Sequence, residues 1–265
     1  MPAVARSEPF REQACPLGVC DGSGWILGPE DVARPCECRE ARLNRGRSRG
    51  ISSVIPRKFQ GVSFDRPPVS DMAHDLASRE AVKAVKNFVD DLPENLQLGR
   101  GLWLSGDTGT GKTSLAMLVS KEAMARGRSV AIYSLPKLLA RIRRTYDSEP
   151  GGESYLSFFE QLTSVDLLQI DDVGAEKSSE WVLEQLYSIV NERYEAERSV
   201  VVTTNLDEHS LLEQIGERTV SRLLEICGEP IGLSGPDHRS KSEHSFDREK
   251  FEALKKKPGS VPRRS

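Results

Sequence analysis

The run Gly106-Asp107-Thr108-Gly109-Thr110-Gly111-Lys112-Thr113 fits the pattern G-x-x-x-x-G-K-[ST], and it constrains the fold more than any other stretch. Such a loop turns successive backbone N–H groups inward, which needs glycine where a Cβ would crowd the concavity. It belongs between a buried strand and a helix N-terminus, whose partial positive charge favours an anion. Both flanks are present: Gly101-Leu102-Trp103-Leu104-Ser105 reads as a short buried strand, and Ser114 to Ala123 as the departing helix. Gly106, Asp107, Thr108, Gly109, Thr110, Gly111, Lys112, Thr113 and Ser114 therefore form the candidate cradle for ATP. Lys112 is directed at the β- and γ-phosphates and the Thr113 hydroxyl at Mg²⁺.

The rest of the pattern is α/β. Apolar runs predict strands at 102–105, 130–134, 167–171, 200–204 and 230–233. Between them lie helical patterns at 135–146 and 178–193, the latter with Trp181, Leu183, Leu186, Ile189 and Val190 on its apolar side. A short helix near Leu211 and another over 218–227 follow. Continuous apolar strands alternating with helices mean a parallel sheet covered on both faces. Upstream, Leu76, Val82, Val85, Phe88 and Val89 predict a helix over about 73–92. Pro56, Pro67 and Pro68 punctuate an extended approach to it, with Phe59 and Phe64 as apolar anchors.

A chain of 265 residues accommodates one core domain and a small appendage. Its net charge of −3 argues against a wholesale polyanion-binding surface but leaves local basic patches open. No apolar run reaches transmembrane length, and the first residues lack the charged-then-apolar order of a signal peptide. The expectation is a cytoplasmic protein without a membrane partner, in which five cysteines stay reduced and serve metal binding or packing.

Two further strand ends carry polar groups. Val165-Asp166-Leu167-Leu168-Gln169-Ile170-Asp171-Asp172 is an apolar strand ending in two carboxylates. Ligands of parallel sheets sit beyond the strands' C-terminal ends, so Asp171 is placed to hold Mg²⁺, usually through water, and Asp172 to polarise an attacking water. Glu176 either supports Asp172 or caps the helix that follows. Val200-Val201-Val202-Thr203-Thr204-Asn205 sets short polar side chains beside the same place, where the Asn205 amide can orient water. In Arg218-Thr219-Val220-Ser221-Arg222 the i, i+4 spacing puts both guanidiniums on one helix face. Arginine stabilises the charge that develops in phosphoryl transfer, and a finger supplied in trans contributes about 10³–10⁵ in rate. Alone, such a pair reads first as a solvated helix face, and the preceding motifs give it the catalytic reading.

Cys15, Cys20, Cys36 and Cys38 precede all this, with Gly22, Gly24, Gly28 and Pro29 between the pairs. Four thiolates can close a tetrahedral Zn²⁺ shell, worth on the order of 10–16 kcal/mol of binding energy to a module too small for its own core. The spacing departs from the commoner C-x₂-C knuckles, and free thiols in an unstructured arm are the alternative. Cys227 lies in an apolar helical setting and reads as core. A basic connector (Arg39, Arg42, Arg45, Arg47, Arg49, Arg57, Lys58) follows the cysteines and reads as partly helical or flexible. Arg141, Arg143 and Arg144, near Tyr133 and Tyr146, are a candidate single-stranded DNA surface, because arginines on phosphates and bases on aromatic rings hold single strands without reading sequence. A solvated helix face is the alternative there, and residues 147–154 read as a flexible loop.

Four elements in this chain order resemble an AAA+ ATPase. Residues 168–176, 181–194, 203–206 and 216–223 look like the replicative helicase loaders of the DnaC/DnaI type, a branch that includes the transposition helper IstB. The resemblance covers roughly 59–239. It implies a three-layer AAA+ P-loop domain over 51–240, after a zinc-binding four-cysteine module and basic connector over 1–50 and before a disordered tail over 241–265. It assigns Lys112 and Thr113 to Walker A, Asp171 and Asp172 to Walker B, Asn205 to sensor 1 and Arg222 to the arginine finger with Arg218 beside it. A sensor-2 arginine corresponds to Arg239. Many AAA+ proteins carry the longer Glu where Asp172 stands, which implies slow hydrolysis, stimulated by a partner or DNA. The implied partners are a replicative helicase, single-stranded DNA and further copies of the chain, with ATP at subunit interfaces. The rivals are an IstB-like helper acting on duplex DNA with a transposase, and an ATP-sensing scaffold with little hydrolysis.

Overall fold

In the computed structural model, residues 15–28, 32–47, 51–52, 54–147, 153–235 and 237 are described. Arg49, Arg239, the tail and residues 148–152 of the expected loop lie outside them. The chain begins with a hairpin, β1 (Trp25–Leu27) and β2 (Ala33–Pro35), then α1 (Cys38–Arg47), a 3-10 turn at Arg57–Phe59, α2 (Val69–His74), α3 (Arg79–Asp90) and α4 (Leu92–Gln97). The alternating part runs β3 (Leu102–Gly106), α5 (Lys112–Ala125), β4 (Val130–Ser134), α6 (Leu135–Tyr146), α7 (Tyr155–Ser164), β5 (Leu167–Asp171), α8 (Glu180–Glu195), β6 (Ser199–Thr204), α9 (Glu208–Ile215), α10 (Glu217–Cys227) and β7 (Ile231–Leu233).

The last five strands form one parallel sheet in the order β4-β5-β6-β3-β7. Their apolar runs are continuous because both faces are covered. Leu102 and Leu104 of β3, Val130 and Ile132 of β4 and Val201 of β6 pack with α2, α3, α4 and α5. Trp103, Ala131, Tyr133, Leu168, Ile170, Val200 and Val202 pack with α6 to α10 on the other side. Gln169 interrupts the apolar pattern of β5, and its Oε1 accepts a 2.6 Å hydrogen bond from Ser120 of α5. This buried pair ties the helix after the phosphate loop to the strand that ends in Asp171.

All five strands lie within one residue of their expected bounds. The helix expected over 73–92 is broken. Asp75 ends α2, the chain turns through Ser78, and the Ser78 hydroxyl donates to the Met72 carbonyl at 3.0 Å. Leu76, expected on the apolar face, projects outward and is 76% exposed, while Val82, Val85, Phe88 and Val89 are buried as expected. Helix α7 was not anticipated. Ser154 caps it by accepting from Ser157 N–H, and Phe158 and Leu162 bury one face.

Arg193 of α8 is wholly buried and has no carboxylate partner in its hydrogen bonds. Its guanidinium donates to the carbonyls of Leu162, Thr163, Val165, Asp166 and Ser199 at 2.6–3.3 Å. It thereby closes the end of α7 against the starts of β5 and β6. Burial lowers its pKa to about 9, which still leaves it charged at neutral pH.

Several contacts among the described residues tie the N-terminal part to the core. Asn44 of α1 donates to the Gly127 carbonyl at 2.9 Å, and Glu40 pairs with Arg128, both in the turn that ends α5. Further on, Ile132 N–H of β4 donates to the Ser52 carbonyl at 2.7 Å, Ser52 N–H donates to the Tyr133 hydroxyl at 2.9 Å, and Ile51 is buried in the core. The chain thus lays a short segment of itself along β4.

Candidate functional site

The phosphate loop leaves β3 and runs directly into α5. Gly111 takes φ +97°, a backbone state open to glycine, and a Cβ there would meet Met72 Sδ at 2.4 Å. At Gly109 a Cβ would meet the Asp237 carboxylate at 2.1 Å, so the segment after β7 crosses close over the loop. The Lys112 ammonium donates to the Gly106 and Asp107 carbonyls at 2.6 and 2.7 Å, which folds it back onto the loop. Thr110 Oγ1 donates to the Asp107 carbonyl at 2.8 Å and holds the loop's curvature.

The strand ends converge on this loop. Thr113 Oγ1 donates to Asp171 Oδ2 at 3.2 Å, joining residues 58 apart in sequence. Asp171 Oδ1 accepts from Thr203 Oγ1 at 2.8 Å, and Thr203 Oγ1 accepts from Asp172 N–H at 2.9 Å. Burial pushes the Asp171 carboxyl above its ordinary value of 3.8, against hydrogen bonds from Thr203 and Thr113. Asp172 sits at φ +57° and is exposed, turned out of the strand toward the loop. A cleft of about 220 Å³ is lined by Lys58, Phe59, Pro68, Thr108, Gly109, Gly111, Lys112, Thr113, Ser114, Asp172 and Asn205. Asp172 and Asn205 therefore share one cavity with the loop.

The two threonines before Asn205 serve the scaffold. Thr203 is spent on Asp171 and Asp172, and Thr204 Oγ1 donates to the Val173 carbonyl at 2.8 Å. Both are buried. Ser179 caps α8 through Val182 N–H, which removes the capping role from Glu176. Lys58, Phe59 and Pro68, read in sequence as connector and approach, form one wall of the cleft. Three-dimensional folding alone brings them there, and no spacing signals it.

Arg218 and Arg222 do not line the cleft of their own subunit. Arg218 is exposed. Arg222 lies with its guanidinium 4.2 Å from the Tyr194 ring centroid, donates Nε to Asn191 Oδ1 at 3.2 Å and Nη1 to Glu225 Oε1 at 2.8 Å. It is thus held on the outer side of α8 and α10.

The four early cysteines come together. Their sulfurs all lie within 4.8 Å of one another, with Cys15–Cys36 at 3.9 Å and Cys20–Cys38 at 3.5 Å, and none forms a disulfide. Tetrahedral Zn–S bonds of about 2.3 Å put sulfurs about 3.8 Å apart, so this donor set fits zinc. The backbone N–H of Cys20, with others from the same loop, draws the Cys15 thiol down to about 6. Burial and the neighbouring sulfurs push Cys38 up to about 12. Four thiolates in such a space call for a cation. Cys227 sits apart, donating to the Val200 carbonyl at 3.5 Å, and burial pushes its thiol up, as a core residue requires.

The candidate DNA surface is only partly exposed. Tyr133 is buried with its hydroxyl taken by Ser52, so it offers no ring to a base. Arg141 pairs with Glu153 at 2.6 Å. Arg143 lies 4.6 Å over Trp181, and the exposed Tyr146 stacks on Tyr155 at 5.3 Å. Arg143, Arg144 and Tyr146 remain at the surface.

An all-parallel sheet that presents Asp171 to the loop across one intervening strand is the arrangement of the AAA+ class of ATP-binding proteins. The sequence profile of the IstB-like ATP binding protein family matches residues 83–223, more than half of the chain, and the chain belongs to that family. The replicative helicase loader DnaC of Buchnera aphidicola (subspecies Acyrthosiphon pisum) is 27% identical over 197 residues, covering 74% of this chain and 75% of that one. A crystal structure of the DnaC helicase loader superposes with a TM-score of 0.58 at 24% identity, covering 68% of this chain and all of that one. A crystal structure of DnaI gives 0.55 at 22% identity, covering 70% and 94%. Among the described residues no helix is long and apolar enough to cross a membrane.

Proposed function

We propose that the chain is an ATP-hydrolysing replication factor that loads or remodels a replicative helicase on single-stranded DNA. The observation that carries the nucleotide chemistry is the Thr113–Asp171 contact of 3.2 Å, which ties the buried Asp171 to a residue of the cleft that Asp172 and Asn205 also line. Lys112 exchanges its two loop carbonyls for phosphate oxygens, and the N-terminus of α5 faces the same charge. Thr113 and Asp171 would hold Mg²⁺, which would offset the negative charge of the phosphate groups. Asp172 polarises the attacking water, Asn205 orients it, and the partner subunit's Arg222 completes the site in trans. The last step is supported by the place of Arg222 outside the lining of its own cleft: a role in hydrolysis would then need contact between copies. Arg218 stands one turn away as its neighbour.

The helicase part of the reading is supported by the DnaC relative, whose likeness extends over three-quarters of both chains. The four-cysteine module, residues 1–50 with its connector, would hold Zn²⁺ and contact the partner. Residues 51–240 would form the ATPase, acting in the cytoplasm, and Arg143, Arg144 and Tyr146 would meet DNA. Co-purification with the host's replicative helicase tests the assignment. Lys112→Ala is expected to abolish Mg-ATP binding. Arg222→Ala is expected to remove hydrolysis and leave binding intact; unchanged hydrolysis would end the trans-finger assignment.

A second reading is favoured by the family match itself, which is to IstB-like proteins. In that case the same ATPase would act on duplex DNA with a transposase. Capture of transposase in place of helicase, and stimulation of phosphate release by duplex over single-stranded DNA, would establish it. A scaffold that binds ATP without hydrolysis would release no phosphate under either condition.

A further inference from the structure

Lys58 belongs to none of the sequence motifs, yet it lines the nucleotide cleft alongside Thr113, Asp172 and Asn205. Its place is fixed by the backbone that carries it. The 3-10 turn at Arg57–Phe59 closes with Phe59 N–H on the Pro56 carbonyl at 2.8 Å and Val62 N–H on the Phe59 carbonyl at 3.0 Å. Lys121 of α5 then donates to the Val62 carbonyl at 2.7 Å, and the Phe59 ring packs into the core beneath that helix. The turn is therefore pinned to the same helix that begins at Lys112. The Lys58 ammonium lies 4.5 Å from the Phe59 ring centroid, above the cleft wall.

Lys58, Lys112 and Asp172 line the cleft together, with the buried Asp171 behind Thr113. A nucleoside triphosphate carries one more phosphoryl group than a diphosphate, and the extra group lies toward the acidic strand ends. A flexible ammonium is suited to that position as a point charge.

Resting on the ATP reading above, we propose that Lys58 is a ligand of the terminal phosphoryl group and distinguishes ATP from ADP within one subunit. Its contribution is made in cis, so it operates before any neighbour delivers Arg222.

The test is direct titration of the full-length chain with Mg-ATP and with Mg-ADP, in an Arg222→Ala background that removes any contribution from a neighbour. Lys58→Ala is expected to weaken Mg-ATP about ten-fold and Mg-ADP by less than about two-fold, with Lys58→Arg retaining most of the ATP affinity. Equal loss for both nucleotides, no loss for either, or an Arg variant as weak as Ala would overturn the proposal. If the Lys58-containing parent binds no Mg-ATP, the ATP reading itself falls. Failure of the Lys58 assignment alone shows as a parent that binds and an Ala variant that binds ATP equally tightly.

Discussion

The nucleotide domain and the four-cysteine module solve the problem of stability in opposite ways. The domain buries two large apolar layers on either side of a five-stranded sheet. The module buries three cysteines, with Cys20 and Ile26 packed against them, and leaves Leu17, Val19, Leu27 and Val32 in solvent. One region is held by area removed from water, and the other has too little area for that to suffice. The difference teaches that the two halves should respond to different perturbations.

The largest expected effect is removal of the Zn²⁺ that the four thiolates are proposed to hold. A strong chelator, or Cys36→Ser, should collapse the hairpin β1–β2 and the packing of Arg39 on Trp25, which lies 4.2 Å away. Structural zinc supplies on the order of 10–16 kcal/mol in small modules. Trp25 fluorescence and bound-metal analysis would read the loss, while Mg-ATP affinity should stay within about two-fold of the parent. Parallel loss of nucleotide binding would break the comparison.

Next comes Arg193→Met, which leaves five buried carbonyls without their shared donor. The cost should be about 3–5 kcal/mol of domain stability. Denaturant midpoints would show it, with the zinc content of the module unchanged.

A smaller effect concerns Asp171. Its folded carboxyl titrates above 3.8, so the folded state holds the proton longer than the unfolded state does. Stability from this group is therefore complete below pH 3.8 and is lost as pH rises through the raised folded value. Asp171→Asn should remove that cost, raising the nucleotide-free Tm at neutral pH by no more than about 4 °C while impairing Mg-dependent hydrolysis. A Tm that falls would show that the Thr203 and Thr113 hydrogen bonds outweigh desolvation.

Smallest is the joint between the halves. Asn44→Ala removes the contact to Gly127 and should cost about 1 kcal/mol or less globally. Limited proteolysis within α1 should quicken all the same. If it does not, the two halves are joined more firmly than this contact provides.

What the sequence disclosed follows from range. The strands were legible because each of these four is a five- or six-residue segment dominated by apolar side chains and closed by polar or small residues, a local signal that burial on both faces strengthens. The phosphate loop and the acidic strand end were legible because their chemistry fixes their spacing. Helix α7 was obscured because its two buried anchors, Phe158 and Leu162, lie close before β5 and blend with its apolar run. Leu76 marks the break at Asp75: six residues before Val82, it is out of step with the apolar face of α3, and its side chain is in solvent. Thr203 was read as facing phosphate, but its hydroxyl serves a carboxylate 32 residues upstream. Lys58 reaches the cleft through a turn pinned by Lys121, and such distant partnership leaves no periodic trace.

The strip of backbone at Ile51–Ser52 has a further consequence. An outermost strand with open N–H and C=O groups is a template on which another chain can grow by strand addition. Here Ser52 occupies part of that template on β4, and Tyr133 fastens it from the next residue. Copies of this protein are thereby discouraged from joining sheet to sheet along β4, and ordered assembly is left to other surfaces.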